Sequence, residues 1–559
     1  MSAAREGLLA VQAESRLLSP AYTLADLRPA ILGVVYKALE EFVYKQNATQ
    51  PLSKLPPELL AEVFSYLNDA NRASVSLVSR TWNDILFTSP DIWRTVDVEQ
   101  KKPGMVQKIL SFSGSCIISL DVLIDGNNWR EITSCLTESL YRCVSLSLSI
   151  GSGFPRDDKE AGKAVADAMS YPAPRLQRFR LFDHLGAFCR GYDDGDFHLF
   201  SDTAPQLNLV KLHTNIDAFR HSAGAFQHVK KVLFSPSDDL TPAHIRQMCE
   251  LFVSAVEFSV EVDDASQEIR DADEGSISLP ASVTQLAAVA NNDISGAEAL
   301  LRLFPNTNSI PWVCISLNQK AVTSQIDQAF ERIGSGLHPY QAIRLETSSS
   351  KGEYNLHLYP DAINLDDMAN LADGAAVRQR CIVDVHHSVS FAPLGIFEHV
   401  TKLYIGEFAV NVGDPIPPIP NVLHLTVFAV KPLFQQTDGH KGVFVLPSAD
   451  SSEFGSQRQR PFLCPKLKTL CLATRTGTIW SADVQSVATR LAPEMICEFV
   501  DAYLEFEASK LESITIRGID ILQHDAESVA RMLDLAVSFE IESRNLDWTC
   551  EFNRLLTWH

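Results

Sequence analysis

From about residue 100 to its end the chain repeats one short unit, apolar-x-x-apolar-x-apolar, which constrains its fold more than any other feature. The last two apolar positions lie two apart, so they fall on one face of a strand. The unit occurs at Ile117, Leu120 and Val122; at Cys143, Leu146 and Leu148; at Leu176, Phe179 and Leu181. It returns at Leu207, Val210 and Leu212; Val229, Val232 and Phe234; Tyr340, Ile343 and Leu345; Val400, Leu403 and Ile405; and Val422, Leu425 and Val427. The clearest copies are Leu467, Leu470, Leu472 and Leu511, Ile514, Ile516. Helical patterns separate many of them, over residues 105–112, 129–141, 161–170, 245–252, 326–333 and 495–506. A strand followed by a helix cannot bury its own apolar face, so neighbouring units have to stack. The expectation is an α/β strand-helix solenoid over residues 97–559, unevenly spaced and interrupted by inserted loops at 263–278, 410–420 and 437–461.

Residues 51–96 carry a helical pattern instead. Pro56 and Pro57 suit an opening turn because they have no N–H to lose, and Glu58 places negative charge near the positive end of the helix dipole. Leu59, Leu60, Val63, Phe64 and Leu67 follow at helical spacing as one apolar stripe. Asn68, Asp69 and Asn71 then favour a turn and a helix cap. A second short helix carries Ala73, Leu77 and Val78. A third carries Trp82, Ile85 and Leu86 and stops at Ser89-Pro90. Isolated helices below about 12 to 15 residues are marginal in water, so the three have to pack on each other and on something else.

The order Leu55-Pro56-x-Glu58-Leu59-Leu60, Val63-Phe64-x-x-Leu67, Leu77-Val78-Ser79-Arg80-x-Trp82 and Pro90-x-Ile92-Trp93 resembles the F-box, a three-helix motif of ubiquitin ligases. Ser79 stands where the family often has cysteine, and both are small. The resemblance implies docking on the Skp adaptor of a Skp, cullin, F-box (SCF) ligase through Leu55, Pro56, Leu59, Leu60, Val63 and Phe64, with Val78 and Trp82 bracing the bundle. Cullin is then reached through the adaptor. Behind it, the strand-helix region resembles the degenerate leucine-rich repeats that follow many F-boxes, although the usual Asn or Cys of the turn is mostly absent. The implied function is a non-catalytic substrate receptor; the alternative is a scaffold that binds the adaptor and delivers nothing for degradation.

Composition narrows the rest. A chain of 559 residues is too long for one compact domain unless it is built from repeats. Its formal net charge of −21 argues against a nucleic-acid reader and against an anionic membrane surface, since both need a basic face. No apolar run reaches the roughly 18 residues of a membrane span. Residues 1–18 alternate apolar side chains with Arg5, Glu6, Glu14 and Arg16, unlike a secretory leader. Eleven cysteines without a C-x-x-C pair read as reduced, packed thiols. These features predict a soluble intracellular protein of the cytoplasm, the nucleus or both. Ahead of the F-box motif, residues 1–50 read as a helical segment with Leu24, Leu27, Ile31, Val34, Val35, Ala38, Leu39 and Phe42 on a stripe. It is expected to pack beside residues 51–96 rather than to form a coiled coil.

No catalytic, cofactor-binding or metal-ligating set is expected. Asp193-Asp194-Gly195-Asp196 and Asp271-x-Asp273-x-Gly275 lack the spaced ligands and closing Glu of a calcium loop. His386 and His387, adjacent on a strand, point to opposite faces. Gly334-Ser335-Gly336 follows a helix rather than a strand, unlike a nucleophile elbow.

Overall fold

The computed structural model describes residues 32–39, 41–43, 45, 51–97, 104–155, 159–183, 186, 197–237, 239–262, 266–290, 294–317, 340–348, 353–360, 379–386, 397–406, 417–429, 462–476, 489–521, 526–542 and 546–547. The chain divides into two compact units, residues 1–179 with 203–206 and residues 180–202 with 207–559.

The first unit opens with helical residues 32–39, then three short helices, α1 (Pro57–Ser65), α2 (Asp69–Ser76) and α3 (Arg80–Thr88), and a 3-10 turn at Pro90–Trp93. It continues as β1 (Thr95–Asp97), α4 (Met105–Phe112), β2 (Ile118–Ile124), α5 (Trp129–Ser139), β3 (Cys143–Ile150) and α6 (Lys159–Met169). The strands run parallel, with Val96 beside Leu120 and Leu120 beside Leu146. Those three side chains are buried and form one row of the core. The short helices find their further support here: Phe87, Trp93 and Phe112 of α4 form an aromatic cluster with ring centroids 4.8 to 6.1 Å apart.

The division passes through β4 (Arg178–Phe182). In the second unit β5 (Leu209–His213), β6 (Lys231–Ser235), β7 (Glu257–Val262), β8 (Gln285–Ala290) and β9 (Trp312–Leu317) are parallel and each pairs with the next. The register lines up Val210, Val232, Phe258, Leu286 and Val313, all buried on the face that the connecting helices cover. Among those helices are α7 (Pro242–Leu251), α8 (Gln267–Asp271) and α9 (Ile294–Arg302). At α7 the start is a capping box in which Thr241 accepts from the His244 backbone and His244 reaches back to the Thr241 N–H.

The order then breaks. β9 pairs not with β10 (Ala342–Ser348) but with β12 (Gln379–His386), while β11 (Glu353–Tyr359) lies antiparallel between β12 and β10. β10 pairs in parallel with β13 (Lys402–Gly406), and the series resumes through β14 (His424–Ala429), β15 (Thr469–Thr476), β16 (Leu511–Arg517) and β17 (Ala536–Glu542). The cause is the short link between Ser348 and Glu353: a few residues can only turn a strand back on itself, whereas a parallel neighbour needs a crossover of a dozen or more residues. Over the described residues the chain is thus a mixed α/β fold with a large, mainly parallel sheet.

Of the repeat triads, the side chains at 143, 146, 148, 176, 179, 181, 207, 210, 212, 229, 232 and 234 are all buried, as are those from 400 to 516. Ile117 is exposed and Ile118 takes the buried place at the start of β2. The structure adds three further copies, Ala255, Phe258, Val260; Val283, Leu286, Ala288; and Ile310, Val313, Ile315, all buried. Residues 263–278, expected as an inserted loop, contain α8, and Ile269 and Ile277 anchor this stretch in the core. The expected helix at 326–333, the loop at 437–461, most of 410–420, residues 193–196, 334–336, His387 and all of 1–31 lie outside the described residues.

One strand residue makes the fold pH-sensitive. His424 on β14 has Nδ1 2.6 Å from the Thr469 hydroxyl, and burial, then the charge of Lys402, holds its pKa below the usual histidine range. The unfolded chain then takes up a proton that the folded chain resists, so stability falls as pH drops below about 6.5. His424→Gln is expected to flatten this part of the profile, read as melting temperature at pH 7.5 and 5.5.

Candidate functional site

The three short helices owe their boundaries to local chemistry. α1 begins at Pro57, directly after Pro56. Asn68 caps α2 by accepting from the Asn71 N–H at 2.9 Å, and Ser79 caps α3 by accepting from the Trp82 N–H at 3.1 Å. Ser79 thus has a definite role where the related motif often has cysteine. α2 ends at Ser76, so Leu77 and Val78, expected within that helix, fall in the turn after it and point outward.

The single stripe expected on α1 splits in two. Leu60 and Phe64 are buried at 3% and 2% exposure, whereas Leu59 and Val63 remain 48% and 51% exposed. Positions 59 and 63 are four apart and positions 60 and 64 likewise, so each pair forms one line along the helix and the two lines face different ways. Phe64 meets Trp82 across the bundle with ring centroids 5.3 Å apart. Leu55 is half-buried, Pro56 exposed, Val78 48% exposed and Trp82 half-buried. Of the residues expected to dock a partner, Leu60 and Phe64 are thus buried in the free chain and Leu59 and Val63 are exposed.

Two residues missed in the sequence hold this bundle. Arg72 is 4% exposed; its Nη2 donates to the Ser65 carbonyl at 3.1 Å and its Nε to that of Phe64 at 3.5 Å, so it caps the last turn of α1 while its guanidinium lies over the Trp93 ring. Helix C-termini leave carbonyls without partners, and a cation there also meets the negative end of the dipole. Asn83 donates from Nδ2 to the Ser76 carbonyl at 3.2 Å and closes α2 in the same way. Nothing in the sequence separates Arg72 from a surface arginine.

Residues 52–99 match the model of the F-box-like family. This stretch is an F-box-like domain. No curated protein matches the chain. The F-box-like domain thus presents Leu59, Val63, Leu77 and Val78 as exposed apolar side chains on a frame held by Leu60, Phe64, Trp82 and Arg72. Leu86, Ile92 and Trp93 complete that frame, and the Trp93 indole donates to the Leu86 carbonyl at 2.8 Å.

In the second unit, the sheet face opposite the helices is wet at one stretch and dry at another. Near β5 and β6 it carries half-buried Lys211, His213, Lys231 and Leu233. Lys231 pairs with Glu257 at 2.6 Å, His213 meets the Ser235 hydroxyl at 2.6 Å, and Lys211 sits 5.2 Å from the centre of the Phe182 ring. Burial lowers the Lys211 pKa, an effect that Glu261 opposes and Arg180 reinforces. Beyond them the same face is closed in two places, by a buried cluster of Ala287, Cys314 and Cys381 and by another of Ala342, Tyr359, Tyr404, Phe428 and Ala473. Among the described residues no three His, Cys, Asp or Glu side chains converge as a metal ion requires, and no helix is long and apolar enough to cross a membrane.

Proposed function

We propose that the chain is the substrate-recognition subunit of an SCF-type ubiquitin ligase, with no catalytic chemistry of its own. Its F-box-like domain, a three-helix bundle, docks on the Skp adaptor, and the adaptor joins it to cullin. The contact surface is Leu55, Pro56, Leu59, Val63 and Val78, while Leu60, Phe64 and Trp82 set its shape. The observation that carries this reading is the pairing of a family match at residues 52–99 with an outward line, Leu59 and Val63, that the bundle itself does not use. Burying large apolar side chains contributes about 1.5 to 3 kcal/mol each when complete, so a handful of half-exposed ones can hold a partner after the costs of association.

The leucine-rich-repeat-like region holds a protein substrate. The wet stretch of the sheet face, Lys211, His213, Lys231 and Leu233, is the surface on offer, because beside it the face is filled by the chain's own Ala287, Cys314 and Cys381. Holding a substrate beside a conjugating enzyme raises the effective concentration of its lysines, and positioning of this kind accelerates transfer without acting on the reacting bonds.

The test is affinity purification of the full-length chain. Adaptor and cullin are expected among the bound proteins, together with substrates whose abundance rises when the chain is removed. Bound partners whose abundance stays constant would favour the scaffold reading; absence of the adaptor would overturn both. Full-length protein is needed because a cut at Lys101 would part Trp93 from Phe112, which lie 5.3 Å apart.

A further inference from the structure

Most of the exposed large apolar side chains among the described residues fall between residues 32 and 87. Those on the F-box-like domain have a use in the reading above. Those of the helical residues ahead of it do not. Leu32, Tyr36, Leu39 and Val43 recur at helical spacing along one line and are 45%, 68%, 57% and 47% exposed, with Val35 and Phe42 beside them at 54% and 51%. Val34 and Ala38, on the other side, are half-buried. A helix that leaves its whole apolar stripe in water is awaiting a cover.

The stripe does not stand alone. Tyr36, Leu39 and Val43 form one wall of an open groove of about 960 Å³ whose other wall is Ser76, Leu77, Val78 and the first turn of α3. That volume lies at the upper end of the roughly 300–1,000 Å³ range of binding clefts. Its openness along two helical walls suits an elongated element rather than a compact ligand. Leu77 is 87% exposed, and it belongs with Val78 to the F-box-like domain, so the groove continues the surface assigned to the adaptor. Lys37, Lys45 and Arg80 outnumber Glu41 and Asp84 around the groove, a basic balance in a chain whose net charge is −21.

We infer that this groove seats a helix of the adaptor, with an apolar face toward Tyr36, Leu39, Val43, Leu77 and Val78 and acidic side chains at its flanks. The segment before the F-box-like domain then supplies part of the docking surface, in the manner of an amphipathic helix laid in a groove. This rests on the adaptor reading of the preceding section.

The experiment titrates purified Skp adaptor into full-length chain by calorimetry, with wild type, Tyr36→Asp plus Leu39→Asp, and Leu59→Asp plus Val63→Asp compared. Both pairs are exposed, so melting curves should coincide with wild type. The Tyr36/Leu39 variant is expected to bind at least tenfold more weakly, Tyr36→Phe to bind as wild type, and residues 32–45 and 76–84 to gain hydrogen-exchange protection on binding. Wild-type affinity in the Tyr36/Leu39 variant, with binding lost only in the Leu59/Val63 variant, overturns this inference and leaves the adaptor reading intact. No binding by wild type removes both. A wild-type dimer in light scattering that the Tyr36/Leu39 variant converts to monomer, with adaptor affinity unchanged, assigns the groove to a second copy and overturns the inference as well.

Discussion

Leu59→Asp combined with Val63→Asp is expected to weaken adaptor binding by about 100-fold or more while moving the melting temperature by no more than a degree or two. Each tenfold change in affinity corresponds to about 1.4 kcal/mol. Two half-exposed apolar side chains lose that much and more when they are replaced by carboxylates that binding would have to strip of water. The folded chain is indifferent, because these positions already face solvent at 48% and 51% exposure and surface changes rarely exceed about 0.5 kcal/mol. The inward pair behaves in the opposite way. Phe64→Asp buries a charge against Trp82 and unfolds the bundle, so loss of binding in that variant says nothing about the surface. Adaptor titration and a melting curve on the same samples separate the two cases; unchanged affinity in the Leu59/Val63 variant would remove α1 from the interface.

The second large effect concerns the break in the sheet. Arg380→Met should cost roughly 3–5 kcal/mol, since hydrogen bonds from a charged group contribute about 1.5–3 kcal/mol each and several are lost together. Arg380 stands on β12 beside Val313, on the face where every neighbouring row is apolar, and is 1% exposed. Its Nη1 donates to the carbonyls of Ile310 and Pro311 at 3.0 and 3.3 Å, and its Nη2 to those of Thr307 and Asn308 at 3.1 and 3.4 Å. Methionine fills a similar volume but leaves the buried Ile310 carbonyl and the part-buried carbonyls of Thr307, Asn308 and Pro311 without these donors. Lysine should not rescue, since a single ammonium cannot match the planar fork. Circular dichroism melts would show a drop on the order of 10 °C; a shift below about 2 °C would mean that the carbonyls find other partners.

Other arginines are used as Arg380 is. Arg72 closes α1, and Arg142, 6% exposed, donates to the Leu110 and Cys116 carbonyls and to the Ser113 hydroxyl at the end of α4. None was visible beforehand, because an arginine's worth as a cap depends on which carbonyls the fold brings to it. The triads were visible for the contrary reason: the two-residue period of a strand and the apolar position three residues before it are local, and the described triad side chains from Cys143 to Ile516 are buried accordingly. The same leading place is also filled by Ala255, Val283 and Ile310, all buried. Residues that are small or β-branched fit the same buried site but occur everywhere.

By itself, then, the sequence determined the helical F-box-like motif, the capping at Asn68, and the faces of most strands, all features set within a few residues of one another. Only the tertiary structure decided that α1 turns Leu60 and Phe64 inward and Leu59 and Val63 outward, that β12 rather than β10 lies beside β9, and that one stretch of the sheet's second face is closed. Those outcomes depend on which distant segments meet. Periodicity states that a face is apolar; what covers it is settled by the geometry of the rest of the chain.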